Sequence, residues 1–270
     1  MPEGHTLHRL ARRHDRRLAG AVVRVSSPQG KFADGAARID GRVLRRAQAW
    51  GKHLVHEYEG GIFVHVHLGL YGTFTESGLP MPEPVGQVRM RLMGPGRDGS
   101  GFGTDLRGPT ACEVLTPPEI DALVARLGPD PLRADAEPGR AWDRIRRSRR
   151  GIGSLLMDQR VVAGVGNVYR AEVLFRHGIS PARPGTELTA QQWSALWDDL
   201  VALMKVGVRR GKMHVVRPEH DHGAPSYAPD RPRTYVYRRA GEPCRRCAAS
   251  VRHSVLEGRN LFWCAQCQPD

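Results

Sequence analysis

The amino-acid sequence predicts an α+β protein: a strand-rich N-terminal half, then a helical half, then a short cysteine-bearing tail. Three observations carry this. Short, often alternating apolar runs bounded by turn residues recur up to Leu106. Beyond Trp142 the apolar spacing becomes helical. Cys244, Cys247, Cys264 and Cys267, four of the chain's 5 cysteines, form two C-x2-C pairs in the tail.

In chain order, Leu7, Leu10, Ala11 and Leu18 fall at helical spacing among arginines, which predicts a helix with one basic face. Strands are expected at 22–25, 43–48, 53–58, 62–68, 87–93 and 101–106, separated by turns such as Gly60-Gly61 and Gly94-Pro95-Gly96. In the fifth of these, Val88, Met90 and Leu92 face one way and Arg89 and Arg91 the other, the pattern of a half-buried strand with a basic outer face. Pro117-Pro118-Glu119 opens a helix to Leu127, and Gly128-Pro129-Asp130-Pro131 begins a polar linker over 128–139. Helices follow at 142–150, 153–158, 168–177 and 189–210, broken by Gly164-Val165-Gly166-Asn167 and Ser180-Pro181. The domains expected are 1–127, 140–233 and the tail 234–268.

The cysteine tail reads as a metal site. Two residues between cysteines on a tight turn aim both thiolates at one point, and a hairpin brings the second pair alongside to complete a tetrahedral sulfur shell for one Zn2+. Two disulfides are the alternative; the start of the chain has no signal-peptide pattern, and Cys112 stands far off without a partner. A closed four-sulfur shell leaves no open position, so this zinc is structural and the chemistry lies elsewhere.

The formal charge is +13, nearly all of the excess from arginine, since the lysines are Lys31, Lys52, Lys205 and Lys212. Arginine's planar fork suits phosphate, and an excess of this size beside a zinc tail points to a polyanionic partner, nucleic acid first. The most apolar stretch, 62–74, is interrupted by His65 and His67 and is too short to span a membrane. A cytoplasmic protein, nucleoid-associated when on DNA, is expected.

Pro2 follows the initiator methionine and is small enough to allow its removal, which leaves a secondary α-amine at the N-terminus. An α-amine titrates near 8, against about 10.4 for lysine, so far more of it is unprotonated and nucleophilic at neutral pH. Its adduct with a sugar aldehyde carbon is an iminium ion, positive without needing a proton and therefore an electron sink for elimination. Glu3 beside it can give or take a proton, and Lys52 can supply a cation to a leaving group.

Pro2-Glu3-Gly4, Gly51-Lys52, Gly164-Val165-Gly166-Asn167 after Leu155-Leu156-Met157-Asp158-Gln159, and Gly258-Arg259 within the four-cysteine tail occur in this order. Together they resemble the formamidopyrimidine-DNA glycosylase and endonuclease VIII family of DNA repair enzymes along almost the whole chain. The resemblance implies an N-terminal two-layer β-sandwich, a helix-two-turns-helix domain and a β-hairpin zinc finger. It implies that Pro2 is the Schiff-base nucleophile, Glu3 the proton donor in base removal, and Lys52 the group assisting β-elimination. Arg259 would be the fingertip residue that assists δ-elimination and grips phosphate, and Asn167 a contact to the DNA backbone. Leu70-Tyr71 resembles the Gln-Leu-Tyr wedge of endonuclease VIII, which fills the gap left by a flipped base. Arg126 aligns with a DNA-contacting arginine of the same branch.

Two departures matter: Gly69 stands where that branch has glutamine, and His5-Thr6 where its best-known members have Pro-Glu. His53, His65 and His67 read as packed or surface strand residues. His220-Asp221-His222 reads as part of a loop near the lesion rather than a second metal site. The expectation is a monomeric bifunctional DNA glycosylase and abasic-site lyase that removes oxidised pyrimidines from damaged duplex DNA. The alternatives are the same enzyme acting on oxidised purines, a non-catalytic DNA-binding protein on the same fold, and an RNA-binding zinc protein.

Overall fold

The structure, a computed structural model, describes residues 2–96, 99–221 and 233–269. Contacts divide the chain into two units, 1–126 and 127–270. The first runs α1 (Gly4–Leu18), β1 (Arg24–Ser26), α2 (Ala33–Ile39), β2 (Leu44–Trp50), β3 (His53–Tyr58), β4 (Ile62–His67), β5 (Thr73–Ser77), β6 (Val88–Gly94), β7 (Phe102–Arg107), β8 (Ala111–Leu115) and α3 (Pro117–Ala125). The strands make two four-stranded antiparallel sheets, ordered β1-β6-β7-β5 and β2-β3-β4-β8. One core joins them: Val25, Met90, Leu92 and Leu106 from the first pack with Leu54, Tyr58, Val64 and Val66 from the second, and with Leu7, Ala11 and Leu18 of α1. This is the two-layer sandwich expected.

Strands β5 and β8 and helix α2 were not legible in the sequence. β5 and β8 are both sheet edges, half-buried and half-polar (Thr73-Phe74-Thr75-Glu76-Ser77 for β5), so neither carries a full apolar stripe. The 7-residue α2 buries only Ala36 and Ile39. The basic outer face expected of β6 is corrected at Arg91, which is 7 % exposed and makes a two-bonded pair with buried Asp105 on β7, at 2.7 and 2.9 Å. Arg107 reaches the same carboxylate at 3.0 Å. A buried charge needs such a partner, and here the neighbouring strand supplies it.

The second unit contains α4 (Pro138–Ile145), α5 (Ile152–Leu155), α6 (Asn167–Arg176), α7 (Ala190–Arg210), β9 (Arg252–Leu256) and β10 (Arg259–Trp263). Two successive turns join α5 to α6. α6 is buried along almost its whole length, with Tyr169, Val173 and Leu174 in the helical core and Ala171 and Phe175 in a second core beneath the zinc tail. α7 begins at a Thr189–Gln192 capping box and ends on Gly211 at φ +70.

Of the stretch 128–139, expected as a polar linker, residues 128–132 are buried in this unit. Leu132 joins the helical core, the Gly128 N–H donates to the Gln159 carbonyl at 2.9 Å, and the Ala163 N–H donates to the Pro129 carbonyl at 3.1 Å. The Gly-Pro run marks a turn that docks rather than a solvated spacer. No helix among the described residues is long and apolar enough to cross a membrane.

Candidate active site and nucleic-acid interface

Packing in the first unit brings three elements to one end of the second sheet. The Gly20 N–H donates to the Leu44 carbonyl at 2.8 Å and the Ala47 N–H to Asp15 Oδ1 at 3.0 Å, so α1 lies alongside β2 and runs against it. A 15-residue helix is about 22 Å long and a seven-residue strand about 23 Å. The start of α1 therefore emerges at the β2–β3 turn, where Gly51 takes φ +56 and Lys52 is half-buried. Strand register adds the third element: His53 pairs with His67, which places the end of β4 and the turn 68–72 at the same end. Pro2-Glu3, Lys52 and Leu70-Tyr71 thus converge.

Glu3 is fully buried at the cap of α1, and its carbonyl accepts the Thr6 N–H at 2.8 Å. The positive end of the helix faces the Pro2-Glu3 pair and favours negative charge there. His5, one residue into the helix, is held down to a pKa of about 4 by burial and then by nearby positive charge, so it is neutral at physiological pH.

Tyr71 is 87 % exposed and Leu70 58 %, two apolar side chains held out in solvent. The geometry of their turn explains the missing glutamine. Gly69 has φ +65, and a Cβ added there would lie 1.9 Å from Thr110 Oγ1. Thr110 is itself fixed, its N–H donating to the His67 carbonyl at 2.8 Å. Gly69→Gln is expected to lower stability by about 1–2 kcal/mol for the left-handed backbone alone. Pairing it with Thr110→Gly relieves the clash and recovers part of the loss in thermal melts; equal melting of both variants and the parent would refute this account of the turn.

Beside Lys52 the structure holds a hydrogen-bonded chain of side chains that the sequence pattern predicts to be packed or at the surface. His53 Nδ1 lies 2.8 Å from His65 Nε2, and His65 Nδ1 lies 2.9 Å from Glu113 Oε1. Anchored on the Glu113 carboxylate, His65 donates through Nδ1 and accepts through Nε2, which makes His53 Nδ1 the donor and leaves its Nε2 without a proton. His53 is pushed down to about 3 by burial, and then by His65, His67, Arg126 and Lys52. His67 is lowered too, by burial first. His65 and His67 sit two apart on β4, and the signal could be found only once β3–β4 register was known.

In the second unit the Gly164–Asn167 turn is built around Gln159, whose side chain accepts from the Gly164 N–H at 2.9 Å and donates to the Val165 carbonyl at 2.9 Å. The Gly164 N–H is therefore already used inside the turn. Asn167 opens α6 but is only 5 % exposed, its Oδ1 accepting from Arg170 at 2.7 Å. Buried Arg170 also donates to the Asn260 carbonyl on β10 at 2.6 Å, tying the turn to the zinc tail. Arg259, next to Asn260, is exposed at the hairpin tip, and Arg126 is exposed after α3.

The four thiols cluster as the spacing predicts, with all Sγ atoms within 4.8 Å of one another, Cys244 to Cys267 at 3.8 Å and Cys247 to Cys264 at 3.5 Å. Zn–S bonds of about 2.3 Å require S···S edges of about 3.8 Å in a tetrahedron, so the four cysteines fit one structural zinc. The Arg246 N–H donates to Cys244 Sγ at 3.4 Å. Among the described residues no other group of three or more potential ligands comes together. His220 bonds the Tyr235 hydroxyl at 2.9 Å instead, while His222 lies outside the described residues.

The chain is similar to known proteins along almost its whole length. The formamidopyrimidine-DNA glycosylase N-terminal domain profile matches residues 1–111, the H2TH domain profile 127–218, and the zinc finger found in FPG and IleRS 241–269. Endonuclease 8 1 of Mycobacterium tuberculosis (strain ATCC 25618 / H37Rv) is 67 % identical, over 99 % of this chain and 100 % of its own. Among solved structures, the MutM (Fpg) protein of Thermus thermophilus superposes with a TM-score of 0.76 at 28 % identity, over 100 % of this chain and 99 % of its own. Lactococcus lactis Fpg bound to DNA containing an abasic site superposes at 0.77; at 19 % identity it speaks for the fold, over 99 % and 100 % of the two chains.

Proposed function

The chain belongs to the formamidopyrimidine-DNA glycosylase and endonuclease VIII family of base-excision-repair DNA glycosylases, and from that premise we propose that it removes oxidised pyrimidines and then cleaves the abasic strand. The observation that carries the reading is the convergence of Pro2-Glu3, Lys52 and the exposed Leu70-Tyr71 turn at one end of the second sheet.

In this reading the damaged nucleotide is flipped out and Leu70-Tyr71 occupies its place. Glu3 supplies the proton as the base departs and the Pro2 nitrogen bonds to the sugar C1′. Opening of the C1′–O4′ bond of that adduct, with O4′ taking up a proton, leaves an iminium, as does loss of water from the carbinolamine formed at an abasic aldehyde, and the iminium acidifies C2′–H. Removal of that proton expels the 3′ phosphate, with Lys52 neutralising charge, and a second elimination expels the 5′ phosphate, with Arg259 on the phosphate. Asn167 and Arg126 contact the backbone and fix the register. The zinc holds the hairpin that carries Arg259 and takes no part in bond changes. We place the protein as a monomer in the cytoplasm, working on the nucleoid.

Borohydride trapping on duplexes carrying thymine glycol, 8-oxoguanine or an abasic site tests this. The expected result is a covalent adduct on thymine glycol and on the abasic site. An adduct on 8-oxoguanine in place of thymine glycol would move the protein to the purine branch. None on any duplex would leave a DNA-binding protein without the amine chemistry.

A further inference from the structure

The hairpin that carries Arg259 is closed by two residues, Glu257 at φ +48 and Gly258 at φ +73, between paired Leu256 and Arg259. Both positive φ values make it a type I′ turn, whose first position favours asparagine, aspartate or glycine. Glutamate there is strained against the left-handed backbone. A local rule broken at a fingertip calls for a compensating contact, and the structure supplies one. Arg150, in the turn before α5, donates through Nη2 to both Glu257 oxygens, at 3.1 and 3.3 Å, and through Nη1 to Asp158 at 3.4 Å. Arg150 first, and Ser154 of α5 next, hold the Glu257 carboxyl below the usual carboxylate range. On the other side of Arg259, buried Arg170 holds the Asn260 carbonyl. The exposed arginine is thus flanked by two tethers to the helical body, one buried and one at the surface.

We propose that Glu257, held by Arg150, is a positioning residue for the second elimination: it fixes the fingertip so that Arg259 meets the phosphate leaving in that step. Without the latch, Glu257 is an anionic side chain two residues from the phosphate-gripping guanidinium, and it repels the same phosphate. With it, the carboxylate is neutralised and turned toward the helical body. The inference rests on the proposed role of Arg259, and the test separates the two.

Glu257→Asn is the informative variant, because asparagine suits the turn at least as well as glutamate and removes the carboxylate with its Arg150 and Ser154 contacts. Single-turnover cleavage of an abasic duplex reads the ratio of δ- to β-elimination product. Glu257→Asn is expected to lower that ratio about fivefold, the factor that corresponds to roughly 1 kcal/mol, the upper end for an exposed ion pair. Base removal and zinc content should stay at the parent level. Arg150→Ala, which leaves the Glu257 carboxylate unpaired beside the phosphate, should lower the ratio further than Glu257→Asn, and the double variant should return to the level of Glu257→Asn. Raising salt should lower the parent's ratio toward that of Glu257→Asn, because the pair is exposed and screened. A Glu257→Asn protein with the parent's ratio, or one in which base removal falls in step with δ-elimination, overturns the latch. Arg259→Ala in parallel tests the underlying role: if it leaves the ratio unchanged, the assignment of Arg259 fails, whatever Glu257 does.

Discussion

Pro2→Gly is expected to abolish borohydride trapping and to lower base removal and strand cleavage together, each on the order of a hundredfold or more, the scale of loss from a misplaced reacting group. Glycine is as small as proline at the second position, so removal of the initiator methionine is retained and an α-amine still stands at the N-terminus. What changes is its chemistry and its aim. A primary amine gives an imine that must be protonated to act as an electron sink, whereas the proline adduct is positive by construction. The pyrrolidine ring also fixes rotation about N–Cα, which sets the direction of the nitrogen lone pair. Loss of strand cleavage with base removal intact would mean that water, not the amine, attacks C1′. Full retention of both would move the nucleophile elsewhere.

The sequence disclosed the parts of this site better than their assembly. Pro2-Glu3, Gly51-Lys52 and the cysteine pairs are local patterns, legible because each is a short run with its own chemistry. What stayed hidden needed register. Arg91 reads as a solvent-facing charge because strand alternation sees only its own strand, whereas Asp105 across the ladder makes it a buried ion-pair partner. His53, His65 and Glu113 lie on three strands and become a hydrogen-bonded chain only when β3, β4 and β8 are laid side by side. Gly164 shows in the sequence as a turn glycine, but that its N–H is taken by the Gln159 side chain depends on how the turn folds. Edge strands β5 and β8 failed for a different reason: half of each strand's surface is wet, so composition carries too little apolar signal. The Gly-Pro stretch at 128–131 failed because turn residues announce a change of direction but do not say whether the chain then docks, as Leu132 does.

Removing the zinc, or its binding site through Cys264→Ser, is expected to have the second large effect and to divide the molecule's properties cleanly. Cys264 is fully buried in the core beneath the tail, with Phe175, Tyr235, Val251 and Phe262. That core is too small to stand alone, and structural zinc sites contribute an apparent binding energy of about 10–16 kcal/mol at neutral pH. Without the metal, hairpin β9–β10 loses its base and the Arg170–Asn260 and Gln268–Ile179 bonds lose their partners. Arg259 is then carried on an unfolded segment. Glu172 loses more still: this fully buried carboxylate accepts the N–H groups of Tyr235, Val236 and Tyr237 at 2.6, 3.0 and 2.8 Å, and burial already pushes its pKa up. Freed of those donors, it must take up a proton or open the end of α6 to water. Zinc loss should therefore destabilise the second unit well beyond the hairpin, while the sandwich, with its own core, keeps its strands. Metal analysis, DNA binding and melting of the Cys264→Ser protein check this together: zinc should fall from one per chain to none, abasic-site binding should collapse, and melting should split into two transitions. One cooperative transition at the parent temperature, with full activity and no metal, would show that sulfur ligation does not hold this fold.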